Sequence, residues 1–177
     1  MRPTEDLKHE HEAVLEMLGI LGGMAGRLEE KRPVEPAHFD QVLDFLRGFV
    51  DKCHHSKEET SLFPAMEAAG VPREGGPVGV MLDEHETGRG FVRQMAAAAP
   101  NDGAGFARAA RDYIELLTRH IAKENTVLFP LAERLLSAQG EARLEREFEE
   151  IEERVVGAGK HEQYHTLLHR LGETYKA

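Results

Sequence analysis

The segment His54-His55-Ser56-Lys57-Glu58-Glu59-Thr60-Ser61-Leu62-Phe63-Pro64 recurs as His120-Ile121-Ala122-Lys123-Glu124-Asn125-Thr126-Val127-Leu128-Phe129-Pro130, with seven of eleven positions identical. Each copy sets a His four residues before a Glu, a spacing that stacks imidazole and carboxylate on one helical face. Two such helices facing each other bring two imidazoles and two carboxylates around one interior point. That is a donor set for a metal site, and one with room for two metals.

A second echo extends the first. Glu10-His11-Glu12 returns as Glu84-His85-Glu86, so each half of the chain is a Glu-His-Glu helix followed by a His-x-x-x-Glu helix and Leu-Phe-Pro. Two helical hairpins related by a pseudo-twofold axis would gather His11, His54, Glu58, His85, His120 and Glu124. All six lie on apolar stripes and should point inward. Burying ionised carboxylates costs roughly several kcal/mol each unless they are compensated, and two dications would satisfy the whole set. Taken singly, a His-x-x-x-Glu step is most often a solvated pair, and an interior His most often a hydrogen-bonded core residue. The ordered duplication on buried stripes favours metal. Mixed imidazole and carboxylate donors suit iron, manganese or zinc, and the lack of thiolates favours iron or manganese over structural zinc.

These residues must be carried by helices. Leu7, His11, Val14, Leu15, Leu18, Leu21, Ala25 and Leu28 form an inward stripe, closed by Pro33 and Pro36 with help from Gly22, Gly23 and Gly26. A second helix runs from about residue 36 to 69 on Phe39, Val42, Leu43, Leu46, Val50, His54, Glu58 and Leu62. After the loop of residues 70–77, a third carries Val78, Met81, Leu82, His85, Val92 and Met95. A fourth, from about 104 to 137, turns Tyr113, Leu116, Leu117, His120, Glu124 and Leu128 inward. Nothing reads as a strand, and short connections make neighbouring helices antiparallel. The expected fold is all-α, an up-down-up-down four-helix bundle. Leu144, Phe148, Ile151 and Val155, then Tyr164, Leu167, Leu168 and Leu171, predict further helices outside it. Residues 1–137 form the bundle in this reading, and 138–177 an extension packed on it within the same domain.

The 177 residues suffice for one buried core, and the formal charge of −10 argues against nucleic acid or an anionic membrane as partner. No segment is apolar enough to span a bilayer and the N-terminus lacks a signal-peptide core, so a cytoplasmic protein is expected. The single cysteine, Cys53, excludes an internal disulfide and reads as a small core residue.

Glu10-His11, His54 to Glu58 with Leu62-Phe63-Pro64, Met81 to Glu86, and His120 to Glu124 with Leu128-Phe129-Pro130 together resemble the hemerythrin-like, or HHE cation-binding, family over about residues 5–137. The resemblance implies a bundle around a non-haem di-iron centre with carboxylate and oxo or hydroxo bridges. It makes Glu58 and Glu124 the bridges and His11, His54, His85 and His120 terminal ligands. It further implies a monomer or homodimer that binds or senses dioxygen, nitric oxide or peroxide. A redox enzyme, an iron sensor or store and, last, a metal-free helical interaction module are the other readings.

The chain departs from oxygen-carrying hemerythrins in one place, because Arg89 stands one turn after His85 where they carry a fifth histidine. His55 is a candidate replacement, since its counterpart Ile121 is apolar and so faces inward. Against it, His55 is about 100° around an ideal helix from His54. Two octahedral irons offer roughly twelve positions; five histidines with the bridges leave one open and four leave two. Tyr113 reads first as a core tyrosine. Arg89 reads as a partner of Glu86, as a clamp on an anionic ligand, or as an interhelical salt bridge. His9, His38, His161, His165 and His169 read as solvated, and Pro64 and Pro130 should kink or end their helices.

Overall fold

In the computed structural model, which describes residues 1–176, the chain is 85% helical and folds as six helices. Helix α1 is Pro3–Glu29, α2 spans residues 36–68, α3 is Pro77–Ala98 and α4 spans 103–135; α5 is Ala138–Val155 and α6 is Lys160–Tyr175. Among the described residues there is no strand, and no helix is long and apolar enough to cross a membrane.

Residue pairs fix the direction of each helix. Glu10 meets His54 while Asp6 meets Lys57, Glu59 meets His85 while Asp51 meets Arg89, and His11 meets Asn125 while Thr4 meets Glu133. Each pairing runs in opposite senses along the two partners, so α1 to α4 form an antiparallel bundle. Asp102 and Ser137 cap α4 and α5 by accepting from the N–H groups of Gly105 and Gly140.

The apolar core comes in two clusters. The larger joins Val14, Leu21, Val50, Val92, Leu117 and Ile121; the smaller joins Leu7, Leu62, Met81, Leu128 and Phe129. On the bundle helices the inward histidines and glutamates fall where one cluster gives way to the other, His120 and Glu124 flanking Ile121 at the edge of the larger one. The polar layer is therefore sealed from water along the bundle axis on both sides.

Several expectations change. Leu15 is 42% exposed, whereas Met17, Ile20 and Met24 are fully buried. Helix α6 covers that flank of α1 and joins the larger core through Tyr164, Leu167, Leu168, Leu171 and Tyr175, which moves the buried stripe. Gly23 does not break α1: a Cβ there would lie 2.1 Å from the Tyr175 carbonyl oxygen, so the glycine lets α6 dock. His38 is half-buried and bonded to the Tyr175 hydroxyl at 2.6 Å, because the end of α6 closes over the start of α2.

The prolines do not end their helices either. Each follows a π-helical turn, Glu58–Leu62 in α2 and Glu124–Leu128 in α4, in which Phe63 and Phe129 donate to the carbonyls of Glu58 and Glu124. A proline ring clashes with the carbonyl four residues back in an α-helix, and the wider turn relieves that clash. The repeated threonines belong to the same device. Thr60 and Thr126 donate to the carbonyls of Ser56 and Ala122 at 2.6 and 2.7 Å.

Candidate metal centre

His11, His54, His55, Glu58, His85, His120 and Glu124 are all buried and meet in one layer. Their donor atoms form two groups of four, His11, His54, Glu58 and Glu124 in one and His55, Glu58, His85 and His120 in the other. Glu58 belongs to both.

Each carboxylate faces one imidazole on its own helix and one across the bundle. Glu58 Oε1 lies 3.1 Å from His54 Nε2, and its Oε2 lies 3.1 Å from His85 Nε2. Glu124 repeats this, with Oε1 at 3.1 Å from His120 Nε2 and Oε2 at 3.0 Å from His11 Nε2. His85 Nε2 and His120 Nε2 are themselves 3.1 Å apart.

The four oxygens of Glu58 and Glu124 and the Nε2 of His11 are buried without hydrogen-bond partners. They lie near nitrogens but are not aligned to bond them, as happens when lone pairs converge on a shared third point. Metal–nitrogen bonds of about 2.1 Å set at right angles would separate neighbouring donors by about 3.0 Å. The observed spacings match, and the donors are all nitrogen and oxygen. The residues fit a pair of ions.

Electrostatics agree. Burial opposes ionisation of Glu58, but His54 and His85 outweigh it and hold the carboxyl well below its ordinary range. Burial and Glu58 both push Glu124 up, yet His120 and His11 leave it lowered. Burial pulls His54 and His85 down, and the facing carboxylates reverse this to about 10 and about 9. Both rings are thus drawn toward their charged form beside Glu58.

The outer imidazole nitrogens have partners arranged by the same pseudo-symmetry. His54 Nδ1 meets Glu10 and His120 Nδ1 meets Glu84, both at 3.0 Å. His11 Nδ1 meets Asn125 at 2.7 Å and His85 Nδ1 faces Glu59 at 3.3 Å. Lys57 and Lys123, identical in the repeat, clamp Glu10 and Glu84. Such partners fix ring orientation and tune donor strength. The sequence held their signal in the Glu that precedes each histidine and in the shared Lys of the repeat.

His55 lies within the second group despite the angular objection. Residues Leu46–His55 are π-helical, so the step from His54 to His55 is smaller than in an α-helix and both rings turn inward. Its ring stacks on His85 with centroids 3.8 Å apart. Burial and the His85, His54 and His120 rings hold its pKa well below the usual histidine range.

Arg89 does not face the metal layer. It binds Asp51 at 2.8 Å, Glu59 closely and Glu86 at 3.4 Å, bracing the carboxylate behind His85. Tyr113 is a core residue whose hydroxyl pKa is raised by burial and by Asp51. Cys53 is buried, its thiol pushed up to about 12 by burial and Glu10. His9, His165 and His169 are exposed. His161 departs from expectation: half-buried, its Nε2 is 3.1 Å from Glu152, which also meets Lys57. The Lys57 ammonium already occupies the space among Glu10, Glu152 and Asp6, so that outer cluster is an ion-pair network.

Comparison with known proteins bears on this geometry. The family described as Hemerythrin HHE cation binding domain matches residues 2–132. Uncharacterized proteins of Mycobacterium tuberculosis and Mycobacterium bovis are 29% identical over 161 residues, covering 86% of this chain. The chain spans 62% of the length of these relatives. No solved structure matches it.

Proposed function

Because the chain belongs to the hemerythrin HHE cation-binding family, we propose that its buried layer holds a non-haem pair of iron ions and binds or senses dioxygen, nitric oxide or peroxide. The observation that carries this reading is the arrangement of Glu58 and Glu124. Each buried carboxylate lacks a hydrogen-bond partner and turns its two oxygens toward histidines of different groups.

In this reading His11 and His54, with Glu58 and Glu124, would hold one ion, and His85, His120 and His55, with the same glutamates, would hold the other. Iron held there would supply redox and Lewis-acid chemistry to a small molecule. The chain does the rest. Glu10 and Glu84 orient His54 and His120, Asn125 orients His11, and Arg89 braces Glu59 behind His85. Phe129 stacks on His11 and Phe63 on His85, with ring centroids 5.4 and 5.9 Å apart, and they wall the layer from solvent. A dry site with fixed dipoles admits a small molecule while limiting water.

The test is anaerobic ferrous loading of the full chain, with iron counted per chain, followed by optical titration with dioxygen, nitric oxide and peroxide. A pair of irons and a reversible spectral change support binding or sensing; steady turnover of peroxide shifts the assignment to an enzyme. Iron content unchanged in His120→Ala would overturn the ligand set.

A further inference from the structure

Five histidines enter the metal layer, and they are not equally held. Among the described residues His55 is the one whose two ring nitrogens are both buried and unpartnered. Asp51 Oδ1 is 3.4 Å from its Nδ1 but is not aligned to bond it, and the same oxygen takes Arg89 Nε at 2.8 Å. The contact that most restrains the ring is its stacking on His85. His55 also has no equivalent in the other half, where Ile121 stands.

Directly beside His55 is a pocket of about 180 Å³, half open to solvent, lined by Leu46, Gly88, Val92 and Tyr113, with Asp51, Arg89 and the exposed Arg47 and Arg93 at its polar rim. An imidazole is smaller than the benzene ring that a cavity of roughly 150 Å³ accepts, so the pocket has room for one. Gly88 helps to keep the space open. A Cβ there would only touch Leu117 and Tyr113, at 3.5 and 3.6 Å, and anything longer would enter the void.

Resting on the iron-pair reading above, we propose that His55 is an exchangeable ligand. When a small molecule of two or three heavy atoms arrives, the His55 ring gives up its place at the metal and swings into the Gly88–Val92 cavity. The other four imidazoles stay. The coordination position that responds to ligand is then on the three-histidine side, and the cavity sets how easily it opens.

Azide, a triatomic anion with strong optical bands on ferric iron, is the probe. It is titrated into the iron-loaded full chain, with iron content and far-ultraviolet circular dichroism recorded for each variant. Val92→Phe and Gly88→Leu fill the cavity from two helical positions without touching a ligand. Each is expected to weaken azide binding about tenfold or more, because the ring then has to be forced into packed space, while iron content stays at the wild-type level. His55→Ala removes the displaced group, so azide should bind about tenfold more tightly, and adding Val92→Phe should change nothing further. Azide affinity within about twofold of wild type in both cavity-filling variants, at full iron content, overturns the proposal alone. A wild-type chain that takes up no iron overturns the iron-pair reading and this proposal with it.

Discussion

Glu59 and Asn125 stand at matching places in the two halves, each directly after a buried glutamate, yet one sets a carboxylate behind His85 and the other an amide behind His11. A carboxylate makes an imidazole a stronger donor than an amide does. The difference is part of a larger asymmetry. Where one side has Arg89, Asp51 and His55, the matching places hold Leu15, Leu117 and Ile121. The polar departures from twofold symmetry collect around the group of His55, His85 and His120.

Glu59→Gln should expose this directly. Removing the charge behind His85 while keeping the shape is expected to lower metal affinity about 10- to 100-fold at the position His85 serves. Chelator competition with ferrous iron measures it. Equal affinities in the variant and the wild type would mean that the Arg89–Glu59 pair is only a surface strut.

Lys57 and Lys123 offer a second internal control. Their places in the repeat are identical, but the Lys57 side chain is 0% exposed and Lys123 is 44% exposed. Lys57 Nζ lies 2.8 Å from Glu10, 3.1 Å from Glu152 and 3.2 Å from Asp6. Lys57→Met strands the buried carboxylate of Glu10 and should cost about 3–5 kcal/mol in urea unfolding. Lys123→Met should cost about 1 kcal/mol or less. Equal losses would refute the claim that α5, through Glu152, supports the metal layer.

The contrast between these two lysines shows what a sequence can and cannot disclose here. The buried His–Glu layer was legible because two periodicities coincide: the three-to-four-residue step of a buried helix face and the long repeat that duplicates it. His11, His54, Glu58, His85, His120 and Glu124 satisfy both. Their orienting partners Glu10, Glu84, Lys57 and Lys123 are also in the repeat, but lie one residue off the inward stripe, so facing direction alone does not mark them. The π turns have no residue signature beyond the proline that follows two of them, so His55 looked misplaced on an ideal helix. Leu15 and Met17 could not be sorted because α6 decides which flank of α1 is covered. Glu152 is far from Lys57 in sequence, and only the folded chain brings them together.

Loading should also release protons. His54 and His85 are raised from 6.5 to about 10 and about 9, so both are charged at pH 7 in the metal-free chain. Because each folded value is raised, their pairs with Glu58 stabilise that form fully below the ordinary histidine pKa of about 6.5, and the contribution is lost as pH climbs through 9 and 10. Metals take the neutral ring, so metal affinity runs the other way and rises with pH over the same window. Zinc, which brings no redox chemistry, can be titrated in weak buffer with a pH indicator. Protons should appear at pH 7 and diminish at pH 10. Equal release at both would show that these rings are already neutral when metal arrives.

The extension should prove inseparable from the bundle. Leu171 of α6 is fully buried in the same cluster as Ile20, Met24 and Phe106, and Gly23 allows α6 to approach α1 to backbone contact. Leu171→Ala is expected to lower the unfolding free energy of the entire molecule by about 2–5 kcal/mol, the usual cost of a large-to-small change in a closed core. Gly23→Ala should be destabilising as well, since its Cβ meets backbone that cannot turn aside. Both effects should appear in one cooperative transition, followed in parallel by circular dichroism and by the optical bands of the loaded metal. If the metal bands persist through a first transition that melts only α6, the last helix is a separate unit rather than part of the bundle's core.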